Sequence, residues 1–301
     1  MLSERSKDHV SCEAQRNVTL APFTRFGIGG EAEFYVEPTD QAQLQQILRA
    51  CRGQQITPIG LGSNILVPDA GVDGLVIRLK GEFCNIRRSG NGIIAGGGAT
   101  NRKIVQLATA SGLSGLEFLV GIPGSIGGSI AMNAGCFGGC IQDVLREVTI
   151  ATREGRLRRI AAADLEMSYR HTALPSGSVV IGCELQGRPA PSAEIEAKIR
   201  SILDEKSQQQ PVSGRTCGST FKNPGPNIHA RVLIEQSGCA GLRLGRAQVS
   251  NKNANFLFNA GGASAAEMIE LIRHVQSRVH RKFSIKLEPE LRIIPGNAGE
   301  I

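Results

Sequence analysis

Tryptophan is absent from the chain and tyrosine occurs only twice. Base-stacking platforms need aromatic rings, so no nucleic-acid partner is expected. No apolar run approaches the roughly 18 residues that span a bilayer, so no membrane partner is expected either. The segment from Met1 to Val18 is polar and mixed in charge. It lacks the apolar centre of a secretory signal, and a cytoplasmic location is the expectation. Cys-x-x-Cys is also missing, although the chain has eight cysteines: Cys12, Cys51, Cys84, Cys136, Cys140, Cys183, Cys217 and Cys239. Such scattered spacing suits free thiols and argues against a zinc cluster, so no metal is expected. No Gly-x-Ser-x-Gly elbow is present, which weakens a serine-hydrolase reading.

Glycine, by contrast, is plentiful. The 37 glycines cluster at 27–30, 60–62, 96–98 and 121–139. Glycine costs backbone entropy on folding, so clusters suggest main chain brought close to a ligand. The net charge of +7 suits an anionic partner such as a nucleotide, or solubility alone.

With 301 residues the chain is long enough for two domains. Short strands alternate with helices, which indicates an α+β or α/β organisation. Strand-like stretches are expected at 19–37 (with a turn at Gly27 to Gly30), 57–61, 65–67, 75–79, 92–95, 147–152, 178–185, 254–258, 285–287 and 291–294. Asp40 with Gln43 opens a helix that Gly53 ends, and Asn101 to Ser111 forms another. Ser192 is expected to cap a third, with Ile195, Ile199, Ile202 and Leu203 on one side. Residues 207–226 read as a loop, and Ala230 to Gln236 as a short helix. Ser264 and Glu267 form a capping box before a long helix whose buried face runs from Met268 to Val279. Gly187-Arg-Pro-Ala-Pro191 is a boundary rich in turn formers.

Gly27-Ile-Gly-Gly-Glu-Ala32 fits a dinucleotide fingerprint in letters only. No apolar strand precedes it and a strand follows, so it reads as a turn. Gly60-Leu61-Gly62-Ser63-Asn64 follows a strand and suits a concave phosphate-binding turn or a tight strand-to-strand turn. Gly121-Ile122-Pro123-Gly124-Ser125-Ile-Gly127-Gly128, followed by Asn133, is bare enough to lie against a flat ligand or a pyrophosphate. Arg170 is either a surface charge or a bidentate grip on a carboxylate. Ser219, Lys222 and Asn223 place a hydroxyl, a cation and an amide in one loop, and Glu288-Pro-Glu290 offers paired carboxylates.

In order and spacing these segments resemble the UDP-N-acetylenolpyruvoylglucosamine reductase family. The motifs run from Thr24-Arg-Phe-Gly-Ile-Gly-Gly30 through Tyr169-Arg170, Gly218-Ser-Thr-Phe-Lys-Asn-Pro224 and Ala247-Gln-Val-Ser250 to Leu287-Glu-Pro-Glu-Leu-Arg-Ile-Ile294. The short interval between Arg170 and Ser219 resembles the subtype without an extra tyrosine-bearing loop. The resemblance implies an α+β fold: an FAD-binding domain of the vanillyl-alcohol-oxidase (PCMH) type followed by a smaller α/β substrate-binding domain. The implied boundaries are an N-terminal extension at 1–19, a flavin domain at 20–187 and a substrate domain at 188–301.

It also implies non-covalent FAD cradled by Gly60–Asn64 and by Gly121–Gly128 with Asn133, and NADPH as co-substrate. The UDP-sugar enolpyruvyl ether would be reduced in peptidoglycan precursor synthesis by a monomer or weak oligomer. Arg170, Ser219 and Glu290 take the catalytic roles, with Lys222 and Asn223 on the substrate. The chain departs from the family's usual residues at Gly27, Arg246 and Asn253. Two rival readings stand beside this one. One is an FAD oxidoreductase of hydroxy acids or sugar lactones on the same fold, and the other a basic nucleotide-binding module without activity.

Overall fold

The computed structural model describes residues 14–211 and 213–295. By its contacts the chain divides into two units. The first comprises the described residues up to Arg16, then Phe34–Gly60 and Gly74–Lys206; the second comprises Asn17–Glu33, Leu61–Asp73 and the described residues from Ser207. Both units are therefore built from separated segments. Gly187 to Pro191 lead into a helix whose residues up to Lys206 belong to the first unit. Of the extension expected at 1–19, residues 1–13, with Cys12, lie outside the described residues, while Gln15–Thr19 form a strand.

Strands β1 (Gln15–Thr19), β2 (Glu31–Val36), β3 (Ile56–Ile59) and β4 (Val72–Arg78) form a sheet in the order β1-β2-β4-β3. The β3–β4 pairing is parallel. Helix α1 (Gln41–Ala50) starts where Asp40 accepts the Gln43 N–H at 2.9 Å. Its Leu44, Ile47 and Leu48 pack with Phe34, Val36, Leu75 and Ile77 in one core of the first unit.

A second core lies on a five-stranded antiparallel sheet. Strands β5 (Ile86–Ser89), β6 (Gly92–Gly96), β7 (Leu145–Ala151), β8 (Leu157–Ala161) and β9 (Val179–Gln186) run in the order β8-β7-β9-β6-β5. Helix α2 (Asn101–Ala110), capped by Thr100, buries Ile104, Val105 and Ala108 in this core. The glycine-dense stretch holds a short helix, α3 (Ile126–Ala131).

Helix α4 (Ser192–Gln209) corrects one expectation. Ser192 is its first residue, and its hydroxyl donates to the Thr109 carbonyl at 3.1 Å instead of serving as the cap. Ile195 and Ile202 are buried, but Leu203 is 43% exposed and lies off the packed face.

The second unit has one core. Helices α5 (Ala230–Gln236) and α6 (Ala265–Phe283) pack with strands β10 (Arg243–Leu244), β11 (Ala247–Val249) and β12 (Leu257–Asn259). The expected capping box is present: Ser264 Oγ accepts the Glu267 N–H at 3.1 Å, and Glu267 accepts the Ser264 N–H at 3.0 Å. Two expected strands differ in the structure. β12 begins at Leu257, because Asn255 turns its polar groups onto a neighbouring segment. Residues 285–287 make no strand, since Gln276 takes the Leu287 carbonyl. Arg292–Ile293 does pair, in parallel, with Ile65–Leu66.

Candidate active site

In the first unit, two glycine motifs meet. A β-carbon at Gly60 would stand 2.3 Å from the Ser125 hydroxyl, which would have to turn away, so Gly60 and the 121-loop lie in close contact. The 121-loop is held by a buried amide that sequence reading did not single out. Asn101 donates from Nδ2 to the Ile122 carbonyl at 3.0 Å and to Ser129 Oγ at 2.8 Å, while its N–H donates to the Gly124 carbonyl at 3.1 Å. Ile126 and Gly127 donate to Ala99 and Gly97 carbonyls. From outside, Lys206 Nζ donates to the Gly121 carbonyl at 2.8 Å. Lys198, two turns earlier on α4, pairs with Glu117 at 3.2 Å.

Arg170 sits in a two-residue turn between Met167–Ser168 and His171–Thr172, with φ of 59°. The turn is anchored at both arms. Asn133 Nδ2 donates to the Ser168 carbonyl at 2.9 Å, and Thr172 Oγ1 donates to the Ile130 carbonyl at 2.6 Å. Asn133 Oδ1 accepts the Gln142 N–H at 3.0 Å, so its amide is committed to the protein at both ends. The Arg170 guanidinium lies over the Tyr169 ring at 5.1 Å, and Tyr169 is 53% exposed. Burial pushes the Cys136 thiol up to about 11 against the opposing pull of Lys206 and Arg170.

In the second unit, Gly62 (φ 62°) lies against the Phe23 carbonyl, with no room for a side chain. The Leu61, Gly62 and Ser63 N–H groups find no acceptor among the described residues. Asn64 Nδ2 donates to the Glu290 carbonyl at 3.0 Å. The Glu290 N–H donates to the Thr220 carbonyl at 2.8 Å, and Lys222 N–H to the Glu288 carbonyl at 2.9 Å. The Ser219 loop and the Glu290 segment thus lie side by side. Lys222 Nζ pairs with Glu288 at 3.2 Å, and Asn223 Oδ1 accepts the Ala230 N–H at the start of α5. Of the paired acids, Glu288 therefore answers Lys222.

Each of the unusual positions is in use. The Arg215 side chain lies across Gly27, 3.1 Å from where a β-carbon would stand. Asn253 Nδ2 donates to the Gln209 carbonyl at 3.1 Å at the end of α4. Arg246 donates to the Gly261 carbonyl at 3.3 Å. The seven described cysteines are free. No helix among the described residues is long and apolar enough to cross a membrane.

A strand-turn framework carrying glycine loops whose main chain is left open suits a flat, phosphate-bearing cofactor, and residues 32–161 match the FAD binding domain family. The chain is an oxidoreductase of the flavoprotein class, with a PCMH-type FAD-binding domain and a second, C-terminal domain. Residues 210–294 match the UDP-N-acetylenolpyruvoylglucosamine reductase C-terminal domain. The reductase of Acidiphilium cryptum is 44% identical over 277 residues, covering 92% of this chain and 89% of the relative. That of Paramagnetospirillum magneticum is 43% identical over 91% of this chain and 90% of its own length. The crystal structure of the reductase from Thermus caldophilus superposes with a TM-score of 0.84 at 34% identity, covering 94% of this chain and 99% of that one. The chain belongs to the UDP-N-acetylenolpyruvoylglucosamine reductase family.

Proposed function

We propose that this protein reduces UDP-N-acetylglucosamine enolpyruvate to UDP-N-acetylmuramate, with FAD held non-covalently and NADPH as co-substrate, for peptidoglycan precursor synthesis in the cytoplasm. We assign the flavin to 20–187 and the sugar nucleotide to 188–301. The observation that carries the reading is the backbone link between the Ser219 and Glu290 segments through Thr220, in a chain that aligns with its family over 92% of its length.

Gly60 to Asn64 and Gly121 to Gly128 would hold the flavin. The open N–H groups of Leu61 to Ser63 suit phosphate oxygens. When bound, FAD would supply the hydride for the terminal enolpyruvyl carbon, with NADPH as the source of the electrons. Negative charge then grows on the adjacent carbon and its carboxylate. Arg170, held on its anchored turn, would stabilise that charge as a preorganised donor. Ser219 would give its hydroxyl proton to the carbon. A serine is a weak acid, so the transfer depends on placement within hydrogen-bond reach. Glu290 would orient or polarise the groups beside it. Lys222 and Asn223 would contact the sugar nucleotide, Lys222 exchanging Glu288 for substrate oxygen.

Anaerobic mixing tests the reading. NADPH should bleach the yellow holoprotein, and the enolpyruvyl substrate should restore the colour without oxygen. Restoration by oxygen alone would favour an oxidase of the same fold instead.

A further inference from the structure

We propose that Asn255 is a positioning residue for proton delivery: it fixes the main chain that follows Ser219 and, through it, the main chain of Glu290. The inference rests on the roles proposed above for those two residues. Asn255 is 5% exposed. Its Oδ1 accepts the Phe221 N–H at 2.9 Å, and its Nδ2 donates to the Phe221 carbonyl at 2.9 Å. Its own carbonyl accepts the Thr220 N–H at 2.7 Å. One residue thus satisfies three main-chain groups of the two residues after Ser219. An amide side chain has both a donor and an acceptor, so it can imitate a strand partner where the real strand has ended.

Asn255 is itself braced. Its N–H donates to Asn253 Oδ1 at 3.1 Å, and Asn253 N–H donates to Ser250 Oγ at 3.2 Å. The next residue, Phe256, is bridged to Ser219. On the far side, the Thr220 carbonyl accepts the Glu290 N–H at 2.8 Å, and the Glu290 carbonyl accepts from Asn64. Ser219 and Glu290 therefore lie on main chain tied to one buried amide. Replacing that amide leaves the Phe221 N–H and carbonyl without their buried partner, and the segment must shift to recover hydrogen bonds. Proton transfer from a hydroxyl to carbon is sensitive to such shifts, whereas flavin reduction does not involve Ser219.

The test is stopped-flow measurement of both half-reactions on anaerobic holoprotein. In Asn255→Ala, bleaching by NADPH should stay within about twofold, while reoxidation by the enolpyruvyl substrate slows by about a hundredfold. The solvent deuterium isotope effect on reoxidation should rise, which loss of packing alone would not cause. Asn253→Ala, which removes the brace together with the bond to the Gln209 carbonyl but leaves the Asn255 amide in place, should give the same pattern more weakly, and decides the matter if Asn255→Ala yields no holoprotein. Unchanged reoxidation, or an equal fall in both half-reactions, overturns the proposal. Ser219→Ala separates the two layers. If it reoxidises normally, the reading of Ser219 itself fails. If it cannot reoxidise while the Asn255 and Asn253 variants do so at the normal rate, only the positioning role fails.

Discussion

Asn133 donates a 2.9 Å hydrogen bond to the carbonyl of Ser168, and this bond joins the glycine-rich stretch to the turn that presents Arg170. The side chain is buried and spends both polar atoms inside the protein. Those bonds tie it to the Arg170 turn. Asn133→Ala removes a bond of about 1–3 kcal/mol once the buried carbonyl left behind is counted. Steady-state kinetics should show kcat/KM for the sugar nucleotide down by about tenfold or more, while the flavin absorbance per mole of protein is kept.

Lys206 grips the same stretch from the other side, through the Gly121 carbonyl. A charged donor to a carbonyl contributes about 1.5–3 kcal/mol, less where water competes. Lys206→Ala should raise the dissociation constant for FAD by about tenfold, measured by the flavin fluorescence released on dilution. Lys206→Arg should recover most of the loss.

Glu117 is the buried acid of the first unit: its side chain is 1% exposed, with Lys198 at 3.2 Å. Burial works against its charge, but hydrogen bonds from Ser114, Lys198 and the Gly115 N–H prevail and hold the carboxyl below its usual value. A carboxyl depressed in the folded state adds stability above its unfolded value of about 4.3, and the gain is lost as pH falls through the folded value. Urea denaturation should show Glu117→Gln less stable by about 2 kcal/mol at neutral pH. The gap should narrow as pH drops below about 4.

Local chemistry was legible in the sequence. Asp40 and Ser264 announce their helices because a cap needs only residues three apart. The turn expected at Gly27 to Gly30 falls earlier, at Thr24 to Gly27, where the Gly27 N–H donates to the Thr24 carbonyl at 3.1 Å. What depends on distant partners was not legible. Helix α3 contains Gly127 and Gly128, poor helix formers, and its start is held by Ala99 and Gly97 carbonyls from another segment. Strand β8 carries Arg158 and Arg159 at a sheet edge, where the apolar alternation that reveals a buried strand is missing. In the candidate site, Arg170, Ser219 and Glu290 came from motif resemblance. Asn101 and Asn255 were missed because one buried amide leaves no pattern, although Asn253-Ala-Asn255 at the entry to a strand is an unusual place for two such side chains.

The proton-donor role of Ser219 is the centre of the account, and one comparison tests it most directly: the two anaerobic half-reactions of Ser219→Ala beside those of the unaltered holoprotein. The account predicts that NADPH bleaches the variant's flavin at nearly the normal rate and that UDP-N-acetylglucosamine enolpyruvate then fails to restore the colour. Restoration at the normal rate, or an equal loss of both half-reactions, would contradict it.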